Sequence, residues 1–380
     1  MEFQVAKGNW RRSFGSLWLA QLQAAFTANA YEFLVIFMLA KEGLSGAETS
    51  LRWAVQGIFA APFILFSMAA GRLADRSSKR TVAVATQIAG VGVLALAASA
   101  LALGNLPLVL LALFLTGAQG AFFSPAKYGL LPELVPHERL SWANGIMALA
   151  TFTATILGVL AGGWMSESLT RAWSGGLLVV LALFGVVASL GIARVRAAEP
   201  GVKIRLNFVA DAVEQFGRAR KDRVLFLALA GSTTFWFLGA VVRINTLAYG
   251  AGVLGVGPER SGLLLGAMAL GIALGSVVAG YASGRKIEYG LIPFGALGMT
   301  ASLAMLFRTG LTFQGAAASL AALGFSAGFF YVPINALLQH RPAPERKGEV
   351  LALASLLSFV AVFLSWPVGS LSARLGLGPE

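Results

Sequence analysis

The chain has 380 residues, 57% of them hydrophobic and 12% charged, with a mean hydropathy of +0.76; soluble domains carry about a quarter charged residues, so this composition defines an integral membrane protein. Cysteine is absent and only His137 and His340 represent histidine, which excludes disulfides and thiolate-ligated metals and leaves almost nothing for a histidine-dependent catalyst. The net charge of +12 does not by itself point to nucleic acid, because in a membrane protein the placement of basic residues matters more than their sum.

In chain order, apolar runs predict eleven helical spans, near 14–40, 52–75, 80–103, 106–130, 140–166, 172–194, 223–249, 259–284, 290–308, 312–340 and 348–373. Uninterrupted runs of about 20 residues select helices over the alternating pattern of barrel strands. The first run is too long for a signal peptide and lacks a small-residue cleavage site. Forty-five glycines suit close helix contact in lipid.

Basic residues gather at the N-terminus and after alternate spans: Lys7, Arg11 and Arg12; Arg72, Arg76, Lys79 and Arg80; Lys127 and Arg139; the run from Arg194 to Arg223; Arg285 and Lys286; Arg341, Arg346 and Lys347. The opposite connections hold only Lys41, Arg52, Arg171, Arg260 and Arg308, with Arg374 beyond the last span. The bias predicts a cytoplasmic N-terminus.

The longest polar connection divides the chain into an expected N-terminal six-helix bundle over 1–194, a cytoplasmic linker over 195–222, and a C-terminal bundle over 223–380. Two readings of the linker stand side by side. Leu206, Phe208, Val209, Val213 and Phe216 form the apolar stripe of a short helix on the inner leaflet, or the segment is an ordinary basic linker.

The halves repeat. An offset of about 208 residues places Phe122 on Phe330, Pro125 on Pro333, Leu130 on Leu338, Pro136 on Pro344 and Arg139 on Lys347. Two related halves joined by an inner loop describe a transporter with parallel repeats, for which twelve spans are expected. The sequence ends at Gly378-Pro379-Glu380 soon after span 11, so the expectation is a missing last span.

Between spans 2 and 3, Gly71-Arg-Leu-Ala-Asp-Arg-Ser-Ser-Lys-Arg-Thr81 resembles the signature loop of the major facilitator superfamily. That resemblance implies an all-α fold of two pseudo-repeated helical bundles. In it Gly71 permits close helix approach, Asp75 accepts hydrogen bonds from a neighbouring helix N-terminus, and Arg76, Lys79 and Arg80 pair across an inner gate. The echo at 280–286 has Gly284 where Asp75 would fall, so the lock is expected to be asymmetric.

The stretch Phe123-Ser-Pro-Ala-Lys-Tyr-Gly-Leu-Leu-Pro-Glu-Leu134, followed by Leu140-Ser-Trp-Ala-Asn-Gly145, is similar to the lysophospholipid transporter (LplT) family, including members fused to acyltransferase and acyl-carrier ligase domains. The similarity extends over nearly the whole chain, notably 69–79 and 279–296. It implies flipping of lysophospholipids, such as lysophosphatidylethanolamine, across the bacterial inner membrane for reacylation. An acyltransferase or acyl-carrier ligase, as partner or fused domain, is the implied associate.

Lys127 lies at the inner end of span 4 beside Tyr128, and Pro125 is expected to loosen the helix there. Its ammonium either meets a lipid phosphate or snorkels to anchor the helix end. The repeat-related position is neutral Asn335. Arg243 is mid-span, where a charge costs about 3 kcal/mol, so it receives a phosphodiester headgroup or pairs with Glu32 of span 1. Asn29, Gln119, Asn144 and Asn245, with Gln21, Gln23 and Gln56, either line a polar path or serve as helix glue. Pro125 and Pro333 mark a repeated inner gate.

Members of the family tend to carry an Asp-Asn pair where this chain has Ala28-Asn29, an acid where it has Ala148, and charges where it has Gln87 and Gly90. Few intramembrane carboxylates leave little means of coupling protons or sodium. Efflux of amphipathic drugs or other small solutes, and a transport-inactive anchor for an acyltransferase, are the competing functions. No nucleophile–base pair or metal constellation appears in the sequence, so neither an enzyme nor a cofactor is expected.

Overall fold

The computed structural model describes residues 10–41, 48–201, 207–308 and 310–374, and every regular element among them is helical. The helices are α1 (Trp10–Lys41), α2 (Glu48–Arg76), α3 (Lys79–Leu103), α4 (Leu106–Leu134), α5 (Leu140–Ser168), α6 (Arg171–Leu190), α7 (Phe208–Ala219), α8 (Arg223–Gly252), α9 (Pro258–Ala282), α10 (Leu291–Leu306), α11 (Phe313–His340) and α12 (Lys347–Arg374). Ten are long and apolar enough to cross a membrane; α10, at 16 residues, is the shorter eleventh apolar helix, and α7 is the polar linker's own element. Lys7, Lys203, Arg205, Leu206 and the terminal Gly378-Pro379-Glu380 lie outside the described residues.

Local chemistry sets the ends of these helices. Asn105, Thr170, Asp222 and Thr312 each cap the following helix by accepting a backbone N–H, from Leu108, Trp173, Val224 with Leu225, and Gly315 respectively. Gly104 ends α3 in the left-handed region, its φ of 63° being one that glycine adopts without steric cost. The expected loosening at proline takes another form: α4 runs unbroken through Pro125 and Pro132, and α11 through Pro333. A proline deletes one backbone hydrogen bond, but dense side-chain packing keeps each helix continuous.

The sequence repeat is visible as secondary structure. A 3-10 turn at His137–Arg139 links α4 to α5, and another at Pro344–Arg346 links α11 to α12.

The chain forms two compact units. Unit 1 comprises Met1–Pro136, Ala154–Arg218 and Pro342–Leu356; unit 2 comprises His137–Thr153, Ala219–Arg341 and Leu357–Glu380. Helices α5 and α12 thus each divide between the two units.

In unit 1, α4 packs on α1, α2 and α3, while α6 packs on α1 and α3. Its core gathers Tyr31, Leu34, Leu39, Leu94, Leu101, Leu113 and Leu178, and the fully buried Tyr31 hydroxyl donates to the Val109 carbonyl at 2.8 Å. In unit 2, α11 is the central element, packed on α8, α9 and α10. Small residues make this possible: a Cβ at Gly328 would meet the backbone of Gly275 and Ser276, and one at Gly275 would meet that of Phe325. In lipid, where apolar side chains gain little from leaving hydrocarbon, such backbone approach supplies the dispersion contact that joins helices. Large exposed side chains such as Leu160, Trp173, Val187, Phe294 and Leu297 form outward surfaces suited to acyl chains.

Gly275→Val is expected to lower the thermal midpoint of the detergent-purified protein through overpacking worth about 1–3 kcal/mol or more. Gly92→Val, where a Cβ meets nothing within 4 Å, should leave that midpoint unchanged.

Candidate functional site

The signature loop builds a polar cluster within unit 1. Asp75, fully buried near the end of α2, accepts the Gly348 N–H on Oδ1 at 2.8 Å and the Glu349 N–H on Oδ2 at 3.0 Å. These are orphan donors at the start of α12, so one carboxylate satisfies two of them and meets the positive end of the helix dipole. Gly71 and Gly348 permit the approach, since a Cβ on either would strike the other's backbone carbonyl. The carbonyl of Asp75 also accepts the Glu199 N–H at 2.9 Å.

Arg72, one residue after Gly71, is buried and grips Asp211 of α7 with both arms of its guanidinium, Nε to Oδ2 at 2.6 Å and Nη2 to Oδ1. The same Nη2 lies 3.5 Å from Glu349 Oε1. Lys79, fully buried at the start of α3, reaches Glu133 at the end of α4 with an Nζ–Oε1 distance of 2.6 Å. Arg80 takes a different part from the one expected of it. Its guanidinium donates to the carbonyls of Ile192 (2.6 Å) and Leu190 (3.1 Å), which caps the C-terminal end of α6. Arg76 is exposed.

A second polar region of unit 1 lies between α1, α3, α4 and α6. Lys127 is half-buried on α4; its Nζ donates to Gln21 Oε1 at 2.8 Å and sits 4.8 Å from the Tyr128 ring centre and 5.7 Å from that of Phe123. The ammonium is therefore held by an amide and two π faces, all neutral. Gln119 Nε2 lies 3.5 Å from Gln87 Oε1, and Gln87 Nε2 donates to the Ala20 carbonyl at 3.0 Å. Gln23, Thr27, Gln87, Thr116 and Gln119 line a small recess there. Asn29 donates to the Ala25 carbonyl at 2.8 Å and lies 3.4 Å from Thr155 Oγ1 of α5, which is the geometry of helix glue. Glu32 is buried on α1.

Unit 2 holds the remaining candidates. Asn144 and Gln339 form a buried reciprocal amide pair, with Nδ2–Oε1 at 3.0 Å and Nε2–Oδ1 at 2.7 Å, so each end of the Asn144 amide is engaged by α11. Arg243 and Asn245 are exposed on α8, and Pro333 is buried inside α11. Phe235 stacks on Tyr331 with centroids 4.5 Å apart, and Trp236 meets the same Tyr331 ring edge-on at 6.1 Å, forming an aromatic wall. The two histidines meet at 4.2 Å between ring centres, His137 in the 3-10 turn after α4 and His340 at the end of α11.

Sequence reasoning gave no site role to Arg72, Asp211, Glu133, Glu349 or Tyr331. A signal existed for Asp211 and Gln215, four residues apart on the polar face of an amphipathic stretch; Glu349 stands in the first turn of its helix, where an acid suits the dipole.

A bundle of long apolar helices, a repeat of about 208 residues and a carboxylate at the end of α2 capping a later helix define a membrane transporter class. The chain belongs to the Major Facilitator Superfamily, whose family model matches residues 17–365. Solved structures agree in fold: the Major Facilitator Superfamily transporter FucP in the outward conformation superposes with a TM-score of 0.76 at 14% identity, covering 96% of this chain and 93% of that one. The human organic anion transporter MFSD10 gives 0.73 at 15%, covering 98% and 95%.

Within the superfamily the relatives are specific. The chain is 31% identical over 366 residues to a protein of Klebsiella pneumoniae named lysophospholipid transporter LplT, covering 95% of this chain and 88% of that protein. It is 29% identical to the Escherichia coli K12 protein of the same name over 97% and 90% of the two chains.

Replacing Arg72 by Met leaves Asp211 buried without its cation, and should cost about 3–5 kcal/mol in an unfolding titration. The double variant Arg72→Met, Asp211→Leu should recover most of that loss. Asp75→Asn, which keeps one acceptor and loses the charge, should cost about 1–3 kcal/mol by the same measurement.

Proposed function

We propose that this protein moves lysophospholipids such as lysophosphatidylethanolamine across the bacterial inner membrane, from the outer to the inner leaflet, by alternating access. The observation that carries the reading is the match to LplT proteins at about 30% identity over nearly the whole chain, on a major facilitator fold. The product of such a step is a lysolipid presented to the cytoplasm, where an acyltransferase with its acyl-carrier ligase, separate or fused, consumes it. The N-terminus is cytoplasmic in this reading, because basic residues concentrate in the connections on its side.

The chemistry of the residues supports an amphipathic anionic headgroup as cargo. Gln21, Phe123 and Tyr128 around Lys127 are neutral, so a phosphate oxygen would form a charge-assisted hydrogen bond with its ammonium without displacing a carboxylate. Arg243, with its planar fork, is the second cationic contact we assign, and Glu32 suits the ethanolamine ammonium. The recess around Gln87 and Gln119 supplies further amides. Aromatic side chains of α8 and α11, Phe235, Trp236 and Tyr331, offer an apolar wall for the acyl chain.

Vesicles reconstituted with the protein should carry fluorescently labelled lysophosphatidylethanolamine inward; movement equal to that in empty vesicles overturns the assignment. Lys127→Gln should cut that flux about tenfold or more, the equivalent of one charge-assisted hydrogen bond, with an unchanged thermal midpoint. Parallel loss of midpoint and flux would make Lys127 a helix anchor instead. Arg243→Ala should weaken lysolipid binding more than it lowers protein abundance, whereas equal loss of both indicates a structural ion pair.

A further inference from the structure

Helix α7 divides its circumference among three environments. At about 100° per residue, Phe208, Asp211, Ala212, Gln215 and Ala219 fall in one sector of about 100°, and all five are buried or half-buried. Both polar side chains of that sector are turned inward: Asp211 is fully buried against Arg72, and Gln215 is buried one turn along the helix. A second sector of about 60° holds Val209, Val213 and Phe216; Val209 is 56% exposed and Val213 68% exposed, while Phe216 is half-buried. The third holds Ala210, Glu214, Gly217 and Arg218, with Glu214 and Arg218 paired along the helix.

An amphipathic helix on a protein in water buries its apolar sector and exposes its polar one. Here the docked sector is mixed, holding Asp211 and Gln215 with Phe208, Ala212 and Ala219, and two valines are left outward, beside a third sector that is small and charged. That arrangement fits a helix lying where protein, lipid and water meet. Its anchor fixes the depth. Arg72 stands four residues before Arg76, where the apolar α2 ends, so Asp211 is held at the level at which a span leaves the hydrocarbon. The charge of the connection is suited to the same surface: from Arg194 to Arg223 eight residues are basic and four acidic, and one of the acids, Asp211, is already neutralised by Arg72.

We propose that α7 is a membrane-surface contact, with Val209 and Val213 at the acyl boundary and the surrounding arginines and lysines on anionic headgroups of the leaflet at which α2 ends. Two valines are a small apolar anchor, so the electrostatic share is what makes the contact depend on lipid composition. Because Asp211 shares Arg72 with Glu349 of α12, the helix that touches the lipid is bonded to the same cluster that receives Asp75.

The chain's lack of cysteine allows a direct test on the full-length protein. Val213→Cys and, separately, Glu214→Cys would be nitroxide-labelled and reconstituted in vesicles containing phosphatidylglycerol or only phosphatidylcholine. Power saturation then compares collisions with oxygen, which concentrates in lipid, and with a water-soluble nickel complex. In anionic vesicles residue 213 should favour oxygen by several-fold while residue 214 favours nickel. The preference at 213 should shrink in phosphatidylcholine or at raised salt. Equal nickel access at both positions in anionic vesicles overturns the proposal, and an oxygen preference indifferent to lipid charge overturns its electrostatic half. Val209→Cys repeats the measurement should the label at 213 lower the thermal midpoint.

Discussion

Two hydrogen bonds from the first turn of α12 to the carboxylate of Asp75 organise the polar part of unit 1. A buried carboxylate is costly, and here the cost is offset by the partial positive charge of a helix start whose own N–H groups would otherwise be unpaired. Everything nearby follows from bringing those two helices so close. Gly71 and Gly348 have to be glycine, and Arg72 is carried to where it meets both Asp211 and Glu349. Lys79 lies fully buried, its stem against Gly129 and its charge on Glu133.

The second repeat keeps the packing and drops the charge. In unit 2 a Cβ at Gly280 would press on Ser141 and Trp142, and one at Gly145 on the backbone of Ser276, so the start of α5 meets α9 as closely as α12 meets α2 in unit 1. No acid stands where Asp75 would be repeated. Gly284 occupies that place, turning the chain with φ 62° just beyond α9, and Ser141 approaches the Lys286 carbonyl at 3.3 Å. The neutral Asn144–Gln339 pair supplies the polar specificity of that unit. Gene-level repetition of a helical scaffold thus leaves room for one copy to be electrostatic and the other to be steric.

Much of this was legible in the sequence, because hydropathy in lipid is a strong signal and because Asp75, Gly71 and the repeat around Pro125 and Pro333 are written in residue types with narrow uses. The partner of Asp75 could be anticipated only as a kind, a helix N-terminus; that it is α12 depends on tertiary packing. Arg80 illustrates the limit: its charge suggested pairing, but the open carbonyls at the end of α6 outcompeted any acid. Asn29 and Asn144 show another, since an amide at a helix contact and an amide in a polar path have the same local sequence and differ only in what lies opposite. Helix α7 turns a mixed sector inward and leaves Val209 and Val213 exposed, and the arginine that pairs with its buried acid could not be read from the sequence.

The prolines inside α4 and α11 have a mechanical consequence. Pro125 and Pro333 each withhold one N–H from the ladder, leaving the carbonyls of Ala121 and Phe329 without that rung, yet neither helix unwinds. A rod with one rung removed and its walls intact has a softened point rather than a joint. The repeat places such points at corresponding positions along two helices, so within its own unit each of α4 and α11 carries one softened point without loss of length or of the register of its side chains.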